Sequence, residues 1–265
     1  MNSDLWQHFS NQPGFQIKDG LLFLPGVAPS ANFEELYLQL RSKEGRFYSD
    51  DTTKLLPDIP SAHSLRKEWD VRRSSAQKLV TYLKKQNPTN PTILDIGCGN
   101  GWLVNYLSNR VPGVYCGLDV NKTELEQAAR LFTKDHHIFF VHANISITPL
   151  PKGQVNFILL ASSIQYFSNL KELITNLLSS LAAGGEIHIV DSPVYSSAEA
   201  LNARERTRIY FKKKGFGKMN DWYHHHTWSE LESFKFKILS KPPPRIIRWA
   251  LKGGSTPFPW IKITA

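Results

Sequence analysis

The chain has 265 residues, of which 41% are hydrophobic and 21% charged, and its formal net charge is +9. This composition excludes a disordered tail, a collagen-like repeat and a coiled coil. The two cysteines, Cys98 and Cys116, are too few for a disulfide scaffold or a cysteine-rich zinc site. The longest apolar runs, such as 157–161, are far shorter than the roughly 20 residues that span a bilayer, and the N-terminus lacks a signal-peptide pattern. We therefore expect a soluble cytoplasmic protein.

Residues 1–90 are predicted to form a mainly helical N-terminal extension. The segment 15–24 has the pattern of a small hairpin, with Asp19-Gly20 as its tight turn. Apolar residues at helical spacing predict one helix before residue 45 and a second from about 63 to 86. The segment 45–61 carries charges and prolines and is predicted to be a loop.

The apolar stripes of these N-terminal helices are narrow and need a second surface to cover them. We therefore expect residues 1–90 to dock as a lid over the domain formed by residues 91–265. Arg46, Tyr48 and Trp69 are the residue types in this extension best suited to close over a ligand.

From residue 91 onward, apolar strands alternate with helical segments. The apolar runs end at polar residues, namely Asp95, Asp119, Asn144, Ser162 and Asp191. Strands alternating with helices at this spacing indicate an α/β fold with a parallel sheet and helices on both faces. Two later strands, 234–240 and 259–264, are predicted to close one edge of the sheet as an antiparallel pair.

The strongest motif is the segment Ile93-Leu94-Asp95-Ile96-Gly97-Cys98-Gly99-Asn100-Gly101. It predicts a buried strand, a glycine-rich turn that lets a ligand approach the backbone, and a helix that begins near Trp102. A dinucleotide-binding turn would carry its third glycine where this chain has Trp102. The carboxylate of Asp95, just before the turn, disfavours a pyrophosphate and suits a cationic or amino-bearing ligand.

Two further polar residues end the next strands. Asp119 lies where an acid can accept both hydrogen bonds of a ribose diol, and the amide of Asn144, one strand further out, can pair with an adenine edge. Because parallel strands end at the same edge of a sheet, the glycine turn, Asp119 and Asn144 together predict a nucleoside-binding site.

This pattern resembles the class I S-adenosylmethionine-dependent methyltransferases, most closely their metabolite-type subgroup. The resemblance is strong over about residues 91–195 and covers the rest in outline. It implies a Rossmann-like sheet of seven strands, the last pair antiparallel, and S-adenosyl-L-methionine as cofactor. The cofactor-binding residues implied are Asp95, Gly97, Cys98, Gly99, Gly101, Asp119, Val120, Asn144, Ile145, Ala161 and Ser162.

By this resemblance, the three glycines lie under the amino acid end of the cofactor, and Asp119 binds the ribose hydroxyls. Asn144 and Ile145 flank the adenine, and Ala161 and Ser162 lie beside the methionine part. The loop 162–166 lacks the Asp/Asn-Pro-Pro-Tyr/Phe motif of enzymes that methylate the amino groups of nucleic-acid bases. It also lacks a Pro-Cys nucleophile, which weighs against a cysteine adduct.

Candidate acceptor-site residues come from the strand ends and from the run Tyr223-His224-His225-His226. Adjacent histidines alternate sides and cannot all face one ion, so no metal site is predicted. A histidine near its ordinary pKa of about 6.5 can take a proton from an acceptor hydroxyl. We predict His224, His226 and Tyr166 as catalytic residues and Tyr166, Tyr195 and His225 as substrate contacts. The alternative, a histidine that caps backbone groups in a loop, stays open.

The positive charge is concentrated in residues 201–265, which hold 14 Lys and Arg against 4 Asp and Glu. Such a segment is either a solvated basic face or a contact for an anionic partner. The favoured function is methyl transfer to a small-molecule or lipid-like acceptor, including an anionic one. The alternatives are an RNA methyltransferase that uses this basic quarter and a cofactor-binding protein without catalysis; no RNA-binding module is evident.

Overall fold

The computed structural model describes residues 3–27, 31–86, 89–133, 137–243 and 256–265, and these residues form a mixed sheet of nine strands with helices on both faces. The strands in chain order are β1 Gln16–Lys18, β2 Leu21–Phe23, β3 Thr92–Ile96, β4 Val114–Asp119, β5 Ile138–His142, β6 Val155–Ala161, β7 Leu181–Val190, β8 Lys235–Ser240 and β9 Trp260–Thr264. The helices are α1 Asp4–Ser10, α2 Ala31–Lys43, α3 Asp50–Leu55, α4 Arg66–Gln86, α5 Trp102–Ser108, α6 Lys122–Phe132, α7 Leu170–Leu178 and α8 Ser197–Lys214. Three 3₁₀ turns cover Ile164–Tyr166, Gly217–Trp222 and Trp228–Glu230.

The strand order across the sheet is β1-β2-β5-β4-β3-β6-β7-β9-β8. Strands β2 to β7 run parallel to one another, whereas β1 is antiparallel to β2 and β9 is antiparallel to both β7 and β8. The predicted α/β, Rossmann-like fold class is confirmed. The seven expected strands run from β5 to β8 in this order, and the N-terminal hairpin adds two more, because β2 pairs with β5.

The apolar residues of the strands point to the two faces alternately, so the sheet has two separate cores. One core joins Leu94 and Ile96 of β3 to helices α1 and α7. The other joins Ile93 and Tyr115 to helices α4, α5 and α6. Because helices cover both faces of the sheet, the parallel strands are almost continuously apolar.

The predicted hairpin is present, and Asp19 and Gly20 both have positive φ angles, 50° and 79°, as a two-residue turn of this type requires. The prediction of a loop over 45–61 was wrong in one part, because α3 forms there. Ser49 caps this helix by accepting a hydrogen bond from the backbone N–H of Thr52. A helix of six residues next to prolines gives no periodic pattern that sequence analysis can detect.

The order of the strands fixes where a ligand can bind. The chain leaves β3 toward β4 on one side and later returns to β6 on the other, and this reversal opens a crevice at the carboxyl ends of the strands. No helix among the described residues is long and apolar enough to cross a membrane.

Candidate functional site

A cavity of about 1270 Å³ lies at the carboxyl ends of β3 to β7. It is closed from the other side by residues of α2, α4, α8 and the 3₁₀ turn Gly217–Trp222. The predicted lid residues Arg46, Tyr48 and Trp69 also line it. The predicted cofactor-binding residues that line it are Asp95, Gly97, Cys98, Gly99, Asp119, Val120, Asn144, Ile145, Ala161 and Ser162.

The glycine turn brings the backbone close to two walls of the cavity. Gly97 has a φ angle of 75°, and a Cβ atom there would lie 2.5 Å from the Cβ of Ser163. Gly99 has a φ angle of 53°, and its N–H donates to Oδ2 of Asp119 at 2.7 Å. Side chains at these positions would fill the space beneath a ligand and strain the turn.

Gly101 was also predicted to bind the cofactor, but it does not line the cavity. It caps the start of α5 with a φ angle of 74°, and a Cβ atom there would lie 2.6 Å from the ring of Phe140. This geometry gives Gly101 a packing role, because it lets α5 lie close against β5.

Asp95 is the second-last residue of β3, lies at the floor of the cavity and is only 2% exposed. Its Oδ1 atom is buried and has no hydrogen-bond partner in the described part of the chain. Burial, with a smaller contribution from the charge of Asp119, raises the pKa of the Asp95 carboxyl to about 8. An orphaned buried carboxyl beside a cavity is costly unless a ligand supplies a donor or a cation.

Asp119 ends β4, the neighbouring strand. Its carboxylate accepts hydrogen bonds from the N–H groups of Gly99 and Asn121, at 2.7 and 2.8 Å. Burial raises its pKa, and these backbone donors oppose the rise. Each oxygen keeps a second lone pair, so the carboxylate is fixed in place and can still accept hydrogen bonds from a ligand.

Two residues after neighbouring strands have backbone angles that side chains rarely adopt. Ser162 and Asp191 follow β6 and β7 with φ angles of 55° and 52°. They are joined because the Ser162 hydroxyl donates to the Asp191 carbonyl at 3.0 Å. The Asp191 side chain accepts from the hydroxyls of Ser75 and Thr256, at 2.6 and 3.3 Å. Strain of this kind persists where surrounding contacts hold it, and it concentrates at ligand sites.

Aromatic rings enclose the part of the cavity that lies under α2. Tyr166 packs edge-on against Tyr37 and Tyr223, with ring centroids 5.7 and 5.9 Å apart. Phe33 contacts Trp222 at 5.5 Å. Burial raises the pKa of the Tyr37 and Tyr166 hydroxyls, so both stay protonated at neutral pH and can donate hydrogen bonds. This aromatic chamber suits a ligand with an apolar body.

Comparison with known proteins agrees with this fold. Residues 93–185 match a family model described as "Methyltransferase domain". This segment, which includes the glycine turn, Asp119 and Asn144, is therefore similar to that family. The chain is 28% identical over 137 residues to an uncharacterized protein of Methanocaldococcus jannaschii, a match that covers 46% of this chain and 36% of that protein. It is 29% identical over 127 residues to a malonyl-[acyl-carrier protein] O-methyltransferase of a Paenibacillus species, covering 44% of this chain and 46% of that protein.

Each of these two matches covers less than half of the relative's length. Among solved structures, a geranyl diphosphate C-methyltransferase from Streptomyces coelicolor superposes with a TM-score of 0.54 at 16% identity, over 89% of this chain and 98% of that chain. A plantazolicin methyltransferase superposes with a TM-score of 0.51 at 21% identity, over 79% of this chain and 81% of that chain. At these identities the structural likeness shows the fold.

The histidine run lies behind the cavity wall, since none of His224, His225 and His226 is part of the lining. The ring of His226 is 3% exposed, with Nε2 2.9 Å from the Ile164 carbonyl oxygen and Nδ1 3.0 Å from Glu230. Both ring nitrogens therefore face acceptors of the protein, and neither is free to take a proton from an acceptor molecule. The His226 ring therefore holds the loop after β6 in place. This is the non-catalytic role that the sequence analysis left open for the histidine run.

The other two histidines are also held by the protein. His225 Nε2 lies 2.8 Å from the Thr207 hydroxyl, and burial lowers its pKa to about 4. The backbone N–H of His224 donates to the Gln165 carbonyl at 2.7 Å, and burial lowers the pKa of its ring. The geometry therefore does not support the predicted roles of His224 and His226 as bases or of His225 as a substrate contact. Tyr166 and Tyr195 do line the cavity.

Among the residues of the cavity wall that sequence analysis did not predict are Tyr37, Arg41 and Glu124. Glu124 lies in the first turn of α6, where its backbone N–H donates to the capping side chain of Asn121 at 3.0 Å. Its sequence context therefore indicates only the start of a helix. Its carboxyl turns into the cavity near Gly99, and burial raises its pKa to about 7. No three His, Cys, Asp or Glu side chains within the described ranges come together in a way that could hold a metal ion.

Proposed function

We propose that the chain is an S-adenosylmethionine-dependent methyltransferase that acts on a small-molecule or lipid-like acceptor. The observation that carries this proposal is the unpartnered Oδ1 of Asp95 at the floor of the cavity. S-adenosylmethionine has an ammonium group on its amino acid end, and that group would supply both the missing donor and the missing charge. A pyrophosphate at the same position would meet a like charge.

The remaining cofactor residues fit the other parts of the same molecule. Asp119 would accept the two ribose hydroxyls, and Asn144 and Ile145 would flank the adenine. Gly97 and Gly99 leave room for the amino acid end, and Ala161 with Ser162 would lie beside the methionine part. When bound, S-adenosylmethionine supplies an electrophilic methyl group, so the protein has to align an acceptor and exclude water.

The aromatic chamber would bind the acceptor. Tyr166 and Tyr195 line it at the ends of β6 and β7, with neutral hydroxyls that can orient a polar group. None of the three histidines reaches the chamber, so no histidine of this run can act as a base there. The chain would therefore work mainly by aligning the acceptor with the methyl group of the cofactor. A small acceptor is supported by the names of a neighbour and a relative, a geranyl diphosphate C-methyltransferase and a malonyl-[acyl-carrier protein] O-methyltransferase. RNA is the less favoured acceptor.

Within the extension, residues 31–86 are proposed to act as the lid of this site, because the residues of the extension that line the cavity lie there, whereas α1 and the β1–β2 hairpin belong to the sheet and its core. Trp69 Nε1 donates to the Tyr48 hydroxyl at 2.8 Å, which joins α4 to the segment before α3. The Trp69 ring packs edge-on against Trp102 at 5.1 Å. Trp102 directly follows the glycine turn and lines the cavity. The lid is therefore attached to the turn that would bind the cofactor.

Calorimetry with S-adenosylhomocysteine and NAD tests the proposal. The chain should bind S-adenosylhomocysteine and show no comparable binding of NAD. Asp119→Ala should weaken that binding by about 2–3 kcal/mol, because the ribose loses a charged acceptor, whereas Asp51→Asn, at an exposed carboxylate of α3, should leave it unchanged. Tight NAD binding, or equal affinities of the Asp119→Ala variant and the wild type, would contradict the assignment.

A further inference from the structure

Arg41, near the end of α2, is a partly buried cation for which the described part of the chain supplies no counter-ion. It lines the cavity, and its Nε atom is buried without a hydrogen-bond partner. Across the described ranges its guanidinium makes no hydrogen bond and no ion pair within 4.0 Å. A buried guanidinium has five donors to satisfy, and leaving them unpaired is costly.

The carboxylates near Arg41 do not neutralise it. Glu44 forms an ion pair with Arg46 at 2.7 Å and also accepts a hydrogen bond from the Tyr210 hydroxyl. The pKa of Glu124 lies at about 7, so this carboxyl is only partly ionised at neutral pH. The contact that Arg41 does make is with the ring of Tyr37, whose centroid is 5.4 Å from its guanidinium carbon. The positive charge therefore remains available to a ligand.

The surroundings of Arg41 belong to the acceptor side of the cavity. The guanidinium of Arg41 lies over the Tyr37 ring, which packs against the ring of Tyr166, and both rings are walls of the aromatic chamber. One end of the chamber is therefore cationic, whereas the rest is apolar. A guanidinium forms paired hydrogen bonds with carboxylates and phosphates and holds them in a fixed orientation.

We propose that Arg41 binds a carboxylate or phosphate group of the methyl acceptor while the apolar body of the acceptor packs against Phe33, Tyr37 and Tyr166. This inference rests on the proposed methyltransferase function and narrows its substrate class to anionic amphiphilic molecules. The carboxylate of the cofactor could bind a guanidinium in the same way. The test therefore has to separate binding of the acceptor by Arg41 from binding of the cofactor.

The test uses paired probes that differ only in charge: phenylacetate with phenylacetamide, decanoate with decanamide, and benzyl phosphate with benzyl alcohol. Binding of each probe is measured by calorimetry to the full chain saturated with S-adenosylhomocysteine. The variants are Arg41→Gln, Arg41→Lys and the control Arg208→Gln, which changes an exposed arginine of α8 outside the cavity. Affinity for S-adenosylhomocysteine is measured for every variant and also reports correct folding.

At least one anionic probe should bind ~10-fold or more tightly than its neutral twin, since a hydrogen-bonded charge contributes about 1.5–3 kcal/mol. Arg41→Gln should abolish this preference and Arg41→Lys should keep part of it, while S-adenosylhomocysteine affinity changes less than about 3-fold. Equal binding of charged and neutral twins, or no anionic binding in the millimolar range, would overturn the inference. So would a loss of ~10-fold or more in S-adenosylhomocysteine affinity in Arg41→Gln, because Arg41 would then bind the cofactor carboxylate. Failure of the wild type to bind S-adenosylhomocysteine would refute the proposed function itself.

Discussion

The unpartnered carboxyl of Asp95 predicts that cofactor affinity depends on pH in a defined direction. Its pKa of about 8 in the free protein means that the carboxyl is mostly protonated at pH 7. Binding an ammonium group requires the carboxylate, so binding must release a proton whenever the pH is below about 8. One pH unit corresponds to about 1.4 kcal/mol. Because the carboxyl is half protonated at pH 8, affinity for S-adenosylhomocysteine should fall about fivefold from pH 8 to pH 7 and about ninefold more from pH 7 to pH 6.

Asp95→Asn removes both the charge and the titration. At pH 8 the variant should bind S-adenosylhomocysteine about 1.5–3 kcal/mol more weakly than the wild type, because a charged hydrogen bond is lost. At pH 6 the wild type loses about 2.7 kcal/mol to deprotonation, so the two affinities should nearly converge. The comparison of pH 8 with pH 6 thus separates the titration of Asp95 from a simple loss of contact.

Calorimetry in phosphate and Tris buffers measures this proton directly, because their ionisation enthalpies differ. At pH 7 the wild type should release close to one proton more than Asp95→Asn does. Asp51→Asn, at an exposed carboxylate, controls for a change in net charge. A variant that keeps the full pH dependence, or whose deficit is as large at pH 6 as at pH 8, would refute the pairing of Asp95 with an ammonium group.

Three further predictions concern stability, each measured by urea denaturation. His226→Ala should lower the free energy of unfolding by about 1–3 kcal/mol, since two buried contacts are lost, and leave S-adenosylhomocysteine affinity within about twofold; a turnover loss above about 100-fold without destabilisation would instead favour the catalytic role. Gly101→Ala should lower it by about 2–4 kcal/mol, because the new methyl group would overlap the Phe140 ring at a left-handed φ angle; a change within about 0.5 kcal/mol would argue against the packing role. Asp95→Asn should stabilise the ligand-free protein at pH 7 by up to about 4 kcal/mol and have little effect near pH 4, because burial raises the carboxyl pKa from an ordinary value near 4 to about 8; equal stability of the two proteins at pH 7 would contradict the raised pKa.

The parts of the site that sequence analysis predicted are those that local patterns specify. Asp95, Asp119 and Asn144 each follow an apolar strand, and parallel strands end at one edge, so their proximity follows from chain order and fold. The pattern of glycines likewise reports a tight turn. Such inferences need no knowledge of how distant segments pack.

The acceptor side could not be predicted in the same way. Arg41 and Tyr37 lie on a helix whose position over the cavity depends on contacts with the 3₁₀ turn Gly217–Trp222, nearly 180 residues later in the chain. The histidine run showed the converse error. Its residues are of catalytic type, but their neighbours Ile164, Thr207 and Glu230 are brought together only by tertiary folding.

The N-terminal hairpin has a consequence for how this chain can be shortened. Strand β2 covers the outer side of β5 through the pairs Leu21 with Phe140 and Phe23 with His142. Without it, β5 would present a row of unpaired N–H and C=O groups at the edge of an apolar sheet, a template for pairing with other chains. A fragment that begins after the hairpin should therefore self-associate, and a shift toward higher mass in light scattering, absent when residues 3–27 are kept, would report that exposed edge.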